Sequence, residues 1–200
     1  MSVRTPAVLL AALAMILAAP AAAQTLGTPV FQAPYRAFDR SEFGATFSDP
    51  GRGVALEGHY RFASRGNDIG LRVGVRDNDP GESQLLLGVE WRARVLTHTD
   101  DFPLDGSLTL GAGAQVGDDN STVLLPVGFS LGRRIAIEDS NVELTPYLHP
   151  VMALVLGDDS DLIVGIGLGL DIRLSRQLEI RVAGAIGDYD GVSIGVAFLR

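Results

Sequence analysis

The chain has 200 residues, a net charge of −8 in which every Lys/Arg position is arginine, and no cysteine. The acidic balance makes it a poor partner for nucleic acid, whose phosphates recruit basic surfaces. Without cysteine there are no disulfides, thiolate zinc sites or thiol nucleophiles, so stability has to come from hydrogen bonding and packing.

Residues 1–23 read as a secretory signal peptide, expected to be cleaved. Arg4 precedes an apolar stretch over 7–19, Pro20 breaks it, and the small residues Ala21 and Ala23 supply the cleavage pattern before Gln24. The apolar run is shorter than the roughly 20 residues a spanning helix needs, and no later stretch reaches that length without a polar interruption. A helical membrane protein is thereby excluded. Residues 24–40 contain Pro29 and Pro34, show no sustained period and read as an irregular lead-in.

From residue 41 to residue 200 the pattern changes to alternation, the mark of strands whose successive side chains point to opposite faces. A short strand around Phe43, Ala45 and Phe47 opens the series. Val54, Leu56, Tyr60 and Phe62 then oppose Glu57, His59 and Arg61. Ile69, Leu71, Val73 and Val75 oppose Arg72, Arg76 and two glycines. Leu85, Leu87, Val89, Trp91, Ala93 and Val95 oppose Glu90, Arg92 and Arg94 in a run about twice the usual strand length. Two further runs, around Leu110 and Val127, oppose mainly Gly, Ser and Thr.

The run over 142–156 carries Pro146 and Pro150. Because proline has no N–H to donate to a ladder, a bulged or partly irregular strand is expected there. Leu162, Val164, Ile166, Leu168, Leu170 and Ile172 then oppose three glycines, Asp171 and Arg173. Leu178, Ile180 and Val182 oppose Glu179 and Arg181, and Val192, Ile194, Val196 and Phe198 close the series. Ten strands result, with eight as the alternative. Every second connection is a Gly/Asp/Asn/Pro cluster such as Asp77-Asn78-Asp79-Pro80-Gly81, short enough to join only antiparallel strands. The expected fold is all-β, an antiparallel up-and-down β-barrel over residues 41–200.

Alternation alone does not separate a soluble barrel from a transmembrane one, which reverses the faces. The content of the faces does. The apolar face is crowded with Leu, Val and Ile along runs of roughly 10 residues, the length a tilted strand needs to cross hydrocarbon. The polar face mixes glycine with Glu57, His59, Arg61, Arg72, Arg76, Glu90, Arg92, Arg94, Asp171, Arg173, Glu179 and Arg181. These are expected to form a nearly charge-balanced lumenal network, with the glycines making room for arginines arriving from the opposite wall. Trp91, Tyr60, Phe62, Phe129, Tyr147 and Phe198 read as lipid-facing or interfacial aromatics.

The signal peptide, the meander and the closing strand over residues 191–200, with Val192, Ile194, Val196 and Phe198 on one face, resemble small bacterial outer-membrane β-barrel proteins. The resemblance implies an outer-membrane location, contact with lipid and lipopolysaccharide, and recognition of the last strand by the barrel-assembly machinery. Those families usually end on an aromatic residue, whereas this chain ends Phe198-Leu199-Arg200. Family topology puts both termini in the periplasm and the Asp/Gly turns outside. The longer connections at 97–105 and 133–141 then fall in the periplasm, which implies either a strand count off by one or a short-looped variant.

The expected role is structural or that of a narrow channel with a largely filled lumen, without enzymatic activity and without a cofactor. An alternative is a barrel hydrolase using His59, flanked by Glu57 and Arg61, as general base, although no serine or aspartate stands at a useful spacing. Another is a soluble secreted barrel holding a hydrophobic ligand. His98 and His149 stand isolated, with no spacing that supports a metal site. The turn aspartates Asp118, Asp119, Asp158 and Asp159 carry a speculative calcium site, because hard divalent cations prefer such oxygen ligands. Gly165, Gly167 and Gly169 alternate within a strand and so lack the strand-to-helix turn of a phosphate-binding glycine motif.

Overall fold

The computed structural model describes residues 31–34, 38, 40–51, 53–78, 82–117, 121–157, 160–189 and 191–200. The signal-peptide reading and the four aspartates of the calcium hypothesis lie outside them.

The alternating runs form β1 (Glu42–Asp49), β2 (Val54–Ser64), β3 (Asn67–Asn78), β4 (Glu82–Leu96), β5 (Asp105–Val116) and β6 (Ser121–Gly132). They continue as β7 (Ile135–Ala136), β8 (Glu143–Leu156), β9 (Asp161–Arg173), β10 (Leu178–Gly187) and β11 (Gly191–Leu199). Neighbours along the chain pair antiparallel, β1 pairs with β11, and β6 reaches past the two-residue β7 to pair with β8, which closes the sheet. β7 bonds only the start of β8 and adds no stave. The barrel therefore has ten strands, as the alternation predicted, and not eight.

Local chemistry sets the corners. Arg65 and Gly66 both have positive φ, 34° and 89°, the conformation that lets a two-residue hairpin match the strand twist between β2 and β3. β4 carries a register shift between Arg94 and Leu96, a bulge near one end of the barrel.

The proline-bearing run departs from expectation. β8 is continuous over fourteen residues and pairs with β9 without a register shift from Glu143 to Val155. On its other side the ladder to β6 is interrupted between the Gly128–Val151 and Leu131–Leu148 pairs, with the register kept. Pro150 lies in that gap, and Pro126 lies in a similar gap between β5 and β6. Each proline removes a donor from one ladder and leaves the strand intact, because both flanking ladders hold its register.

Antiparallel order places the start of β1, the end of β11 and the longer connections at 97–104 and 133–142 at one end of the barrel, here the terminal end. The Asp-rich connections fall at the far end. With the strand count settled at ten, a count off by one does not account for the longer connections at this end.

Outward positions are predominantly apolar on every stave. Leu56 is 56% exposed, Val75 57%, Leu162 58% and Ile186 60%. Inward positions hold the charges, so that Glu42, Glu57, Asp68 and Arg92 are buried. This is inverted relative to a soluble ligand-holding barrel, which turns its aliphatic side chains inward.

Candidate functional site in the barrel lumen

Two walls of different chemistry line the lumen. Strands β1 to β4 and β10 carry most of the charges, joined at the terminal end by Asp171 and Arg173 of β9 and Glu143 of β8. Arg61 on β2 donates through Nη1 to Asp68 at 2.5 Å and through Nη2 to Glu90, and its Nε lies 3.6 Å from Glu42. Arg72 joins Glu57 at 2.5 Å and Glu90 at 3.1 Å. Arg92 holds Asp68 through both Nε and Nη2, at 3.0 and 2.5 Å. Arg181 forks onto both oxygens of Glu42, at 2.8 and 2.5 Å, and its Nε donates to Glu179 at 2.7 Å. The Nε of Arg181 also lies 4.0 Å from Asp171. Arg173 continues the chain to Glu143 at 2.9 Å and Glu179 at 3.6 Å. Opposite charges thus alternate from β4 around to β9, a pattern that offsets the desolvation of the buried ions, with Glu42, Arg61 and Arg181 each meeting more than one partner.

Two members differ from the rest. Arg76 is buried toward the far end, whereas Arg94 is exposed at the terminal end, where its guanidinium stacks 5.0 Å from the ring centroid of Phe38. Arg94 pairs with the inward Ser107 before the β4 bulge, so it keeps its inward parity and is exposed because it stands at the open end of the barrel.

The second wall, on β5, β6, β8 and the far part of β9, is made largely of small residues around the inward Tyr147 and His149 of β8, and what fills the space against it is the chain's own lead-in. Residues 31–34 and Phe38 are buried and adopt no regular secondary structure. Gln32 N donates to His149 Nδ1 at 2.9 Å, and Gln32 Nε2 donates to Glu90. The Gln32 carbonyl accepts from Ser130 Oγ, and the Ala33 carbonyl accepts from Arg92 Nη1 at 2.5 Å. Phe31 packs edge-on against His149 and Tyr189, with centroids 6.0 and 5.7 Å apart.

The glycines of β9 are explained by this filling. A Cβ on Gly167 would run into the Phe31 ring, and one on Gly169 into Tyr147. The expectation that glycines receive arginines from the opposite wall is therefore corrected. On β3 the glycines Gly70 and Gly74 do make room for charged side chains, but these are Arg61 and Glu57 of the neighbouring strand. Tyr147 is also reassigned. It points inward at 5% exposure, with its hydroxyl 3.5 Å from the Phe31 carbonyl, because odd-numbered positions of β8 face the lumen.

His59 sits between Glu42, at 3.6 Å, and Arg181 Nη1, at 3.4 Å. The free space beside it is a cavity of about 30 Å³, room for one or two waters and too small for a lipid or peptide. His149 is fully buried. Its Nδ1 accepts from Gln32 N, which assigns the proton to Nε2 and makes that nitrogen the donor to Thr109 Oγ1 at 3.0 Å. His98 bonds Asp105 at 2.7 Å across the connection at the terminal end. Neither of these two histidines is isolated, since each meets partners that the sequence spacing did not bring together. Among the described residues no group of three or more His, Asp or Glu side chains is placed to hold a metal ion.

Residues missed by the alternation follow two rules. Glu42 and Asp68 have inward parity and stand one position before the first outward apolar residue of their runs, Phe43 and Ile69, so extending each run by one residue finds them. Gln32 and Phe31 carry no periodic signal at all.

The class that closure, antiparallel order and inverted faces define is an up-and-down β-barrel of the outer-membrane type. No family model and no curated protein matches the chain. Among solved structures it is similar to the β-domain of the Bordetella autotransporter BrkA, at 17% identity and a TM-score of 0.50, covering 80% of this chain and 99% of that one. It is also similar to a structure from the de novo design of transmembrane β-barrels, at 15% identity and a TM-score of 0.41, covering 80% and 95%. The first of these likenesses is one of fold.

Proposed function

We propose that the chain is an integral outer-membrane β-barrel with a structural or narrow-channel role, its lumen filled by the Arg/Glu/Asp network and by residues 31–34. The observation that carries this reading is the inversion of faces: apolar side chains lie outward on every stave while arginines and carboxylates are buried within. In water such a surface would drive association, whereas in lipid it is the favourable arrangement. Strands of 8 to 15 residues suit a tilted crossing of the hydrocarbon. Phe43 and Phe198 stack across the closing seam at 5.4 Å, and Tyr60 and Phe62 meet at 4.6 Å beside them. Together with Trp91 they form an outward aromatic group toward the terminal end, where a bilayer interface suits amphipathic rings.

The proposal extends to export through a cleaved signal peptide, to contact with outer-membrane lipid and lipopolysaccharide, and to a non-catalytic role for His59, whose surroundings leave no space for a substrate. Extraction and conductance test it together. The protein is expected in the detergent-extracted membrane fraction, with mobility on a mild-detergent gel that changes on heating, and with small conductance or none in planar bilayers. Recovery in the soluble fraction would overturn the membrane reading, and large steady openings would overturn the filled lumen.

A further inference from the structure

At the terminal end, the connection over 133–142, the turn over 174–177, Arg40 and the end of β11 enclose an open basin of about 1100 Å³. Phe38 and Leu199, 1% and 8% exposed, contribute an apolar floor. Five arginines line the basin, Arg40, Arg134, Arg173, Arg176 and Arg200, against a single acidic side chain, Glu143. That carboxylate is already engaged, by Arg173 Nη1 at 2.9 Å and by Arg134 Nε at 3.5 Å. Arg40 donates to the backbone carbonyl of Arg176 at 2.8 Å, which ties two walls of the basin together. Among the described residues no side-chain carboxylate pairs with Arg40, Arg176 or Arg200.

In a chain of net charge −8, this concentration of positive charge around one concavity runs against the overall balance. Like charges gathered around a hollow repel one another, and the repulsion is relieved when an anion occupies it. Guanidinium forks match the geometry of phosphate and carboxylate oxygens, and a tetrahedral phosphate, singly charged in a diester headgroup and more highly charged as a free solute, presents oxygens in directions that several arginines around one hollow can reach at once. Asn141 and Gln177 add amide donors to the same lining.

We propose that this basin is a binding site for a phosphate-bearing anion. The phosphate belongs either to a lipid headgroup or to a free solute. Leu174 on the rim, 40% exposed, gives a headgroup's chain an apolar neighbour. The site is independent of whether the lumen conducts.

The test uses the full chain in a neutral detergent, titrated calorimetrically with pyrophosphate and, separately, with phosphatidylglycerol in mixed micelles. At least one probe is expected to bind, more weakly as salt rises. The double variant Arg40→Gln/Arg176→Gln should weaken binding about tenfold or more, as expected when two charge-assisted donors are lost. Arg65→Gln, at the same end but outside the basin, should leave affinity unchanged. Binding of both probes, or of pyrophosphate alone, supports a site that takes free phosphate, and binding of phosphatidylglycerol alone supports a headgroup site. Absence of binding by both probes, or equal binding by the double variant, overturns the proposal.

Discussion

Arg61 reaches carboxylates on three different strands, Glu42 on β1, Asp68 on β3 and Glu90 on β4, from a side chain that is 4% exposed. Its removal leaves three buried acids short of a partner. Arg61→Ala is therefore expected to lower stability by about 3–5 kcal/mol, the cost typical of breaking a buried pair by deleting one side. Urea unfolding from bilayers measures this, and a loss under about 1 kcal/mol would mean that lumenal water already screens the network. Gly167 makes the complementary point about space. Gly167→Val puts a side chain where the Phe31 ring lies and should cost about 1–3 kcal/mol through overpacking. In a Phe31→Ala background most of that penalty should vanish. A penalty that persists there would place the strain in β9 itself.

At the scale of elements, the lead-in matters more than its composition suggests. Four consecutive residues without regular structure make backbone and side-chain hydrogen bonds to β4, β6 and β8. Deleting residues 24–40 should open the space beside the small-residue wall and raise single-channel conductance in planar bilayers above that of the full chain. Unchanged conductance would mean that the charge network alone closes the lumen. The strands were legible because period-two alternation is a local property that any short window displays. The lead-in was not, because its partners are more than 50 residues away and it has no period. His149 and Gln32, for example, are 117 residues apart. Pro150 misled for a related reason. A missing donor is visible in the sequence, but that it falls on the β6 side while the ladder to β9 runs on unbroken is visible only once both neighbours of β8 are in place.

For the whole molecule, the outward band sets a depth-dependent tolerance for charge. Val73 stands mid-strand on β3 and Val54 begins β2 at the far end, both outward and 55% and 45% exposed. If the band lies in hydrocarbon, Val73→Arg should cost about 2–4 kcal/mol in bilayers and Val54→Arg about 0–1. Similar costs at the two positions would place the band in water. The charge distribution is also unequal between the ends. The basin at the terminal end gathers arginines, while described aspartates such as Asp49, Asp77, Asp161 and Asp188 stand at the far end. Each short hairpin returns the chain to the other end, so clustered turn residues accumulate on one rim.

Sequence alone determined the antiparallel order and which residues share a face, because these follow from the pleat and from turns too short for a crossover, and it pointed to ten strands with eight left open until the sheet closed. It also separated the charged wall from the small-residue wall. Tertiary structure decided which carboxylate meets which arginine, and that Phe31 and Tyr147 occupy the space above the β9 glycines. It also decided that arginines from the lead-in, two connections and the last strand meet around one basin. The physical reason is the same in each case. Strand periodicity is written into neighbouring residues, whereas side chains across a lumen become neighbours only when β1 pairs with β11 and the sheet closes.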